Sequence, residues 1–427
     1  MHHRKTKMKE WKEITHYAGF DWARNHHVVV IVNQQGQIVA DLEFEHSVEG
    51  WKNFGEKTAG FANLAVAIET SQGAAVDQML QRDYTVYPVN PAAAASYRQR
   101  KAPSGSKTDH IDGWSLADAL RVDGHSWKTL QPADELSTQL RLLCRDEVAL
   151  IAQRTLLVNQ LQQALVEYYP AALGAFEDWV SPATWDFVLE FPTPEALTKA
   201  GKRRWEKFLH THRLWRPETV EKRLAIFAKA DQLKASAPVT KAKSQLALSL
   251  CKLLRTLQQQ LDQYREQIEA LFKNHPDHDL FGSLPGAKKM LAPRLLAAIG
   301  SDPGRYGSFQ VLQSYAGTAP ISFESGQIHK ARIRWNCDKF MRHTIHLWAD
   351  CFHRVSPWGK AYYRKKRQQG MTHACALRCL GQRLLKIIFR MISNKKPYDA
   401  DLHTSNQQKH GSWVLALIEK PATKTCE

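Results

Sequence analysis

Two aspartates three residues apart open an apolar helical pattern in "KTDHIDGWSLADALR", which runs from Lys107 to Arg121. A helix cap with a solvated partner would explain the pair without any function, because Asp109 suits a cap and Asp112 suits a first helical turn. A metal site would explain it as well, since carboxylate oxygens are the ligands that hard divalent cations prefer. The spacing alone leaves both interpretations open.

Two further acids lie where a sheet would bring them close. Asp21 interrupts an otherwise apolar strand pattern, and Glu69 ends the apolar run "LAVAIE". Taken singly, Asp21 could start a turn and Glu69 could pair with Arg24 or Lys107, but an acid on a buried strand is costly unless something neutralises it.

Considered together, the four carboxylates point to a metal site. Carboxylates on two strands and a helix start can hold two Mg²⁺ ions roughly 4 Å apart, the arrangement that clamps the attacking and leaving oxygens of phosphodiester chemistry. Hard oxygen ligands without a Cys/His cluster favour Mg²⁺ or Mn²⁺ over zinc.

The first block, about residues 15 to 130, must position these acids. β-Branched runs, a turn at "NQQGQ" and intervening helical patterns give it the order βββαβαβ. That order predicts a mixed sheet with helices packed on it, an α/β architecture.

The rest of the chain is predicted to be mostly helical. Two long apolar patterns in residues 134–275 predict helices packed lengthwise, either as a coiled-coil arm or dimer contact or as ordinary bundle helices. Prolines mark an inserted segment of short helices at 177–240. Residues 279–399 open with "LPGAKKMLAPRLLAAIGS", which fits either a helix-hairpin-helix-like phosphate site or a plain αα-hairpin, and a polar tail occupies 400–427.

Positive charge is concentrated near the C-terminal end. The net charge is +17, and residues 327–396 hold 17 Lys and Arg against two acids. Within this segment, "YYRKKRQQG" adds four successive cations, Arg364, Lys365, Lys366 and Arg367, which suit phosphates. The aromatic residues Trp358, Tyr362 and Tyr363 beside them favour contact with bases. A concentrated basic region of this kind favours nucleic acid as the partner.

The whole sequence limits the class of protein. A chain of 427 residues is long enough for two or three domains. Its longest apolar runs are too short to span a membrane, and its N-terminus lacks the apolar core of a signal peptide. Seven scattered cysteines without a C-x-x-C pair are typical of thiols in a reducing compartment, so we expect a cytoplasmic protein without a membrane partner.

Three motifs resemble a known family. "SGSKTDHIDGWSLADAL" resembles the "KTDxxDA" signature of the DEDD transposases of bacterial insertion sequences, the "one-ten" family, which is related to Piv-type DNA invertases. "AGFDWARNHHVVVIVNQQG" and "AIETSQG" match the family's other acidic motifs. The resemblance implies an N-terminal RuvC-like domain of the ribonuclease H fold with Asp21, Glu69, Asp109 and Asp112 as its tetrad, although Gly113 replaces the usual alanine.

A C-terminal segment carries a second resemblance. "FQVLQSYAGTAPISFESGQIHKARIRW" is similar to the family's "Y-x-G-L-x-P…SG" segment in its transposase domain, with Thr318 in place of leucine. The resemblance implies that Ser325 is a nucleophile, while the residues alone indicate only a serine in a turn. No His-Asp pair stands beside Ser325, so we expect the metal site to activate it.

Basic residues near the acidic motif and after the serine suit a phosphate with its developing charge. They are Lys107, which precedes Asp109, and Lys330, Arg332, Arg334 and Arg342, which follow Ser325. Arg342 ends "RWNCDKFMR", where the family has "KRGNRxLR".

The resemblance also implies partners. Donor and target DNA, a structured bridge RNA that pairs with both, and a homodimer or homotetramer are expected. A RuvC-like junction resolvase needs the acids but no serine, and a non-catalytic nucleic-acid scaffold needs neither. An actin-like ATPase such as a sugar kinase is disfavoured because "FDWARNHH" lacks a Gly/Thr-rich phosphate loop.

Overall fold

The computed structural model describes residues 10–61, 63–130 and 134–418, so the basic N-terminal stretch 1–9 and the end of the polar tail lie outside the described residues. The chain divides into two compact units, 1–134 and 135–427, which are called the first and second unit below. The finer division into a helical region, a transposase domain and a tail stays a prediction. The six cysteines that the structure describes are free thiols.

The first unit is built on a five-stranded mixed sheet. Its elements are β1 His16–Trp22, β2 His26–Asn33, β3 Ile38–Glu45, α1 Val48–Thr58, β4 Leu64–Ile68, α2 Ala74–Gln81, β5 Thr85–Pro88, α3 Pro91–Lys101 and α4 Asp109–Asp123. The strand order is β3-β2-β1-β4-β5. Strands β1 to β3 pair antiparallel, whereas β4 pairs parallel with β1 and β5. This confirms the order βββαβαβ and the mixed α/β sheet, which is consistent with a ribonuclease H-like domain.

The two faces of this sheet pack against different helices because side chains alternate along each strand. On one face, Phe20 and Ile68 pack in a core with Trp51 and Phe54 of α1 and with residues of α2. On the other face, Ala65 and Ala67 of β4 pack with Tyr17 of β1 and with Leu116 and Leu120 of α4. The sheet is therefore covered on both sides.

Two long helices form the axis of the second unit. They are α5 Glu135–Tyr168 and α10 Ala237–Lys273. They run antiparallel, because Glu147 pairs with Arg265 at 3.2 Å while Glu167, further along α5, pairs with the earlier Lys243 at 2.7 Å. Two long packed helices are thus confirmed, and a coiled-coil arrangement stays a prediction.

Short helices that begin at prolines lie between the two long ones, and the last three of them fall within the predicted segment 177–240. They are α6 Pro170–Ala175, α7 Pro182–Glu190, α8 Pro194–Thr211 and α9 Pro217–Ala228. Trp185 and Phe187 of α7 are fully buried in a core with α5 and α10. The insert is therefore a packed part of the second unit.

The remaining elements surround a second helical core. They are α11 His278–Gly282, α12 Lys288–Ile299, α13 Phe309–Tyr315, β6 Ile321–Ser325, β7 Ile328–Arg332, α14 Lys339–Val355, α15 Pro357–Gln368, α16 His373–Asn394 and α17 Ala400–Lys409. The start of the tail is thus helical. None of the helices among the described residues is both long and apolar enough to cross a membrane.

The turn between α11 and α12 packs against α14. Gly286 has φ +76°, and a Cβ added there would lie 3.0 Å from the backbone of Cys351. Trp348 donates a hydrogen bond from its indole nitrogen to the Pro285 carbonyl at 2.9 Å. Contact of this turn with DNA, as in a helix-hairpin-helix, stays a prediction.

Candidate active site

Asp21 and Glu69 leave the sheet side by side. Phe20 of β1 is aligned with Ile68 at the end of the parallel strand β4, so the residue that follows each of them is an acid at the same sheet edge. Adjacent strands lie about 4.8 Å apart. Because Tyr17 and Ala67 contact the α4 layer, Asp21 and Glu69, an even number of residues further on, belong to the same face. The carboxyl ends of parallel strands are where α/β sheets place their ligand sites.

Helix α4 lies directly on this face. A Cβ added to Gly19 would lie only 1.8 Å from the Gly113 carbonyl oxygen, so the two backbones touch. A Cβ on Gly113 would lie 3.2 Å from Val30, which is a tight contact. Because of this close contact, Asp112, the residue before Gly113, lies near the carboxyl end of β1.

The explanation of Asp109 and Asp112 as a cap and its solvated partner is wrong. The cap of α4 is Thr108, whose side chain accepts a hydrogen bond from the Ile111 amide at 3.2 Å. Asp109 is the first helical residue and is exposed, as is Lys107 before it. Asp112 is 8% exposed and therefore buried.

The acids repel one another. The pKa of Asp21 is raised to about 6, first by burial and then by the negative charges of Asp109, Asp112 and Glu69, while Lys107 opposes the rise. The pKa of Glu69 is raised by burial and then by Asp112, against Arg98 and Lys107. A cluster of this kind attracts a cation, and its all-carboxylate oxygens fit Mg²⁺ or Mn²⁺ in chemical type.

Arg98 supplies positive charge to this cluster, and sequence reasoning missed it. Its Nη1 lies 2.8 Å from Oδ1 of Asp112. The pKa of Arg98 is raised first by its hydrogen bond to Asp112, and also by the charges of Asp112, Glu69 and Asp21. No motif marks this arginine, because only the packing of α3 on α4 brings it to Asp112.

Among the described residues, no group of three or more His, Cys, Asp or Glu is arranged to hold a metal ion.

Ser325 belongs to the second unit and ends strand β6 of an exposed hairpin. It is aligned with Ile328 of β7, and Gly326 turns the chain between them with φ +56°. The serine is exposed. Its place in a turn agrees with the sequence, whereas the two strands of the hairpin were not predicted, although "ISFESGQIHKARI" carries the β-branched residues and turn that indicate one.

The basic residues after Ser325 differ in their surroundings. Lys330 and Arg332 are exposed on β7, and the Arg332 guanidinium lies 4.1 Å from the Phe323 ring. Arg334 donates from Nε to the Ala319 carbonyl at 3.4 Å. Arg342 lies 5.6 Å from the Trp335 ring and donates to the Arg334 carbonyl. Lys330 and Arg332 are thus the more accessible cations.

Helix α15 exposes part of its basic run. Arg364 and Arg367 are exposed, whereas Lys365 and Lys366 are partly buried. Lys360 is exposed too, and the spacing 360, 364, 367 places these cations on one helix face, named the α15 basic face below. The expectation that the neighbouring aromatics contact bases is wrong for Trp358 and Tyr362, which are 7% and 6% exposed and belong to the core.

Comparison with known proteins identifies the family. A family model described as a transposase, of the DEDD type named for IS110, matches residues 18–170, and the model of the transposase IS116/IS110/IS902 family matches residues 278–364. The transposase candidate of the IS117 mini-circle of Streptomyces coelicolor is 31% identical over 402 residues, which cover 91% of this chain and 97% of that relative. The chain belongs to the IS110 family of transposases.

Two further relatives are similar to this transposase, one over most of its length and one over a shorter segment. The 42 kDa protein of insertion element IS900 from Mycobacterium paratuberculosis is 26% identical over 404 residues, 90% of this chain and 96% of its own. A pilin gene-inverting protein of Moraxella bovis is 32% identical over 128 residues, 29% of this chain and 39% of its own. Membership makes the transposase a DNA-processing enzyme. The first matched segment contains Asp21, Glu69, Asp109 and Asp112, and the second contains Ser325.

Proposed function

We propose that this transposase cuts and rejoins DNA strands by Mg²⁺-dependent phosphodiester chemistry with Ser325 as the nucleophile. The observation that carries the proposal is the convergence of Asp21, Glu69 and Asp112 on one end of the sheet. Burial, and after it the charges of Asp109, Asp112 and Glu69, raise the pKa of Asp21 to about 6. Family membership supports the same chemistry.

Asp21, Glu69, Asp109 and Asp112 would hold the Mg²⁺ or Mn²⁺. The bound ion supplies Lewis-acid stabilisation of negative charge on the reacting phosphate. The protein's part is to collect carboxylates that repel one another and to keep them on the rigid edge formed by β1, β4 and α4.

Ser325 would attack a backbone phosphate. Its Oγ forms a bond to phosphorus and gives up its proton, while the bond from phosphorus to the strand's leaving oxygen breaks and that oxygen takes up a proton. The resulting phosphoserine conserves the phosphodiester energy, so that a hydroxyl of another strand can displace Ser325 without an outside energy source. An exposed turn gives a DNA backbone access to the serine, and the nearby cations Lys330 and Arg332 suit the phosphate.

The partners in this proposal are donor and target DNA, held together with a structured bridge RNA by a homodimer or homotetramer. The α15 basic face and Lys107 would contact phosphates. Net charge +17, concentrated in 327–396, supports nucleic acid as the bound polyanion. If a bridge RNA is bound, sequencing the nucleic acid that co-purifies with the protein should recover a transcript of its own element.

Removal of a carboxylate tests the metal chemistry. Asp21→Asn, Glu69→Gln and Asp109→Asn should each abolish strand cleavage of a plasmid carrying the element and its flanks, while nucleic-acid binding survives because the basic surfaces are intact. Asp77→Asn, at an exposed position in the first turn of α2, is the matched control and should cut like the wild type. Retained cleavage in any of the three variants would remove that residue from the site.

Removal of the hydroxyl tests the covalent step. Ser325→Ala should abolish the protein–DNA adduct, detected by transfer of labelled phosphate to the protein, and should abolish strand exchange. Ser322→Ala, on an exposed residue of the same strand β6, should retain both. Full-rate cutting by Ser325→Ala without an adduct would instead identify a junction resolvase.

A further inference from the structure

Helix α3 is fixed to helix α4 by ion pairs that end on two different aspartates. Asp118 of α4 is 3% exposed and contacts Arg100 at 3.2 Å, Lys101 at 2.6 Å and Arg121 at 2.7 Å. Asp112, six residues earlier, contacts Arg98 of α3 at 2.8 Å. The ion pair of Asp112 thus belongs to the carboxylate cluster, whereas the ion pairs of Asp118 lie outside it.

The Arg98 guanidinium contacts a carboxylate oxygen that the proposed metal ion would use. It bonds to Oδ1 of Asp112, its side chain is only 25% exposed, and it feels the charges of Glu69 and Asp21 as well. A guanidinium and a divalent ion repel each other and compete for the same carboxylate lone pairs. Entry of a metal ion at Oδ1 of Asp112 therefore requires the arginine to give up that contact.

We propose that Arg98 is a positioning residue that occupies the carboxylate cluster when no metal is bound, compensating Asp112 and yielding it to the incoming divalent cation. The inference rests on the proposed metal-dependent function. It makes metal binding at Oδ1 of Asp112 and the Arg98–Asp112 pair mutually exclusive, so that Arg98 stabilises the metal-free first unit and lowers the affinity of the site for metal. Once released, the guanidinium is available to the phosphate that the metal site binds.

Mn²⁺ binding to the full-length, nucleic-acid-free protein tests the inference, with unbound Mn²⁺ measured by electron paramagnetic resonance. Arg98→Gln should bind Mn²⁺ about tenfold more tightly, because a charge-assisted hydrogen bond no longer has to be broken. The same variant should melt at a lower temperature in EDTA, because Asp112 loses its partner. Arg98→Lys, which keeps a cation at the site, should lie close to the wild type.

Arg100→Gln is the matched control. It removes an arginine two residues away on the same helix, but Asp118 keeps Lys101 and Arg121 as partners. Its Mn²⁺ affinity should be that of the wild type. Weaker or unchanged Mn²⁺ binding in Arg98→Gln would overturn the inference and make Arg98 an orienting or purely structural residue, while leaving the metal site intact. Absence of Mn²⁺ binding in wild type and variant alike would overturn the metal site and the inference together.

Discussion

At the scale of single residues, the raised pKa of Asp21 shows that bringing the acids together costs free energy. Burial, followed by the charges of three neighbouring carboxylates, raises the pKa of its carboxyl from 3.8 to about 6 in the folded protein. A raised pKa means that the folded state favours the neutral acid. Its contribution to stability is fully present below about pH 4 and is lost as the pH rises through about 6.

Asp21→Asn should therefore stabilise the metal-free first unit at pH 8 and not at pH 4. We expect a gain of about 1–2 kcal/mol at pH 8, after discounting for solvent screening of a partly exposed group. Scanning calorimetry in EDTA at the two pH values measures the difference. The same variant is expected to be inactive, so stability and function should change in opposite directions, as they do where a site stores unfavourable charge.

The control for this prediction is Asp77→Asn, which removes an exposed carboxylate outside the cluster. It should give no gain at pH 8. A gain that is equal at pH 4 and pH 8 in Asp21→Asn would show that the charge of Asp21 does not limit stability.

At the scale of elements, the contact between β1 and α4 holds the site. Gly19→Ala places a methyl group 1.8 Å from the Gly113 carbonyl oxygen and 2.5 Å from the Ala117 amide nitrogen, both of which are backbone atoms. Because backbone cannot rotate away as a side chain can, α4 must shift, and we expect a loss of about 3 kcal/mol or more. Calorimetry measures the loss, and Mn²⁺ binding should weaken because Asp109 and Asp112 move with the helix.

Gly55→Ala offers the opposite case in the same unit. Gly55 lies inside α1, and apart from the helix's own backbone and the two chain neighbours a Cβ there meets none of the described atoms within 4 Å. Alanine should be neutral or stabilise by about 0.5–1 kcal/mol, since it removes the entropy cost of a helical glycine. A Gly19→Ala protein as stable as Gly55→Ala would refute the tight strand–helix contact.

The same elements show what can be predicted from the sequence. The order of strands and helices in the first unit follows from β-branched runs and turns, and the partnership of Asp21 with Glu69 follows once parallel strands are expected. The Arg98–Asp112 pair could not be found, because it depends on how α3 lies on α4 rather than on spacing. The prediction that Trp358 and Tyr362 contact bases is wrong, because both belong to the core. Aromatic residues lie beside cations at nucleic-acid surfaces, but also on any helix that buries one face and exposes the other.

At the scale of the whole molecule, the charge is distributed unevenly among the elements. The first unit gathers Asp21, Glu69 and Asp112 near one sheet edge. Residues 327–396, in contrast, carry 17 of the chain's 59 Lys and Arg with only two acids. A polyanion bound by such a surface releases counterions, so its affinity should fall steeply with salt. In a plot of the logarithm of the affinity against the logarithm of the salt concentration, the slope is proportional to the number of phosphates that the protein neutralises.

Removal of two cations from the α15 basic face should change this slope by a definite amount. For Arg364→Gln with Arg367→Gln we expect weaker binding to a duplex DNA probe and a slope shallower by about 1.8, because each phosphate contact contributes about 0.9. Fluorescence anisotropy at a series of KCl concentrations measures it. The matched control, Lys52→Gln with Lys57→Gln, removes two exposed cations from α1, where Glu49 and Glu56 lie on the same helix, and it should leave the slope unchanged. An equal change in both double variants would mean that binding depends on the total charge of the molecule and not on a basic face of α15.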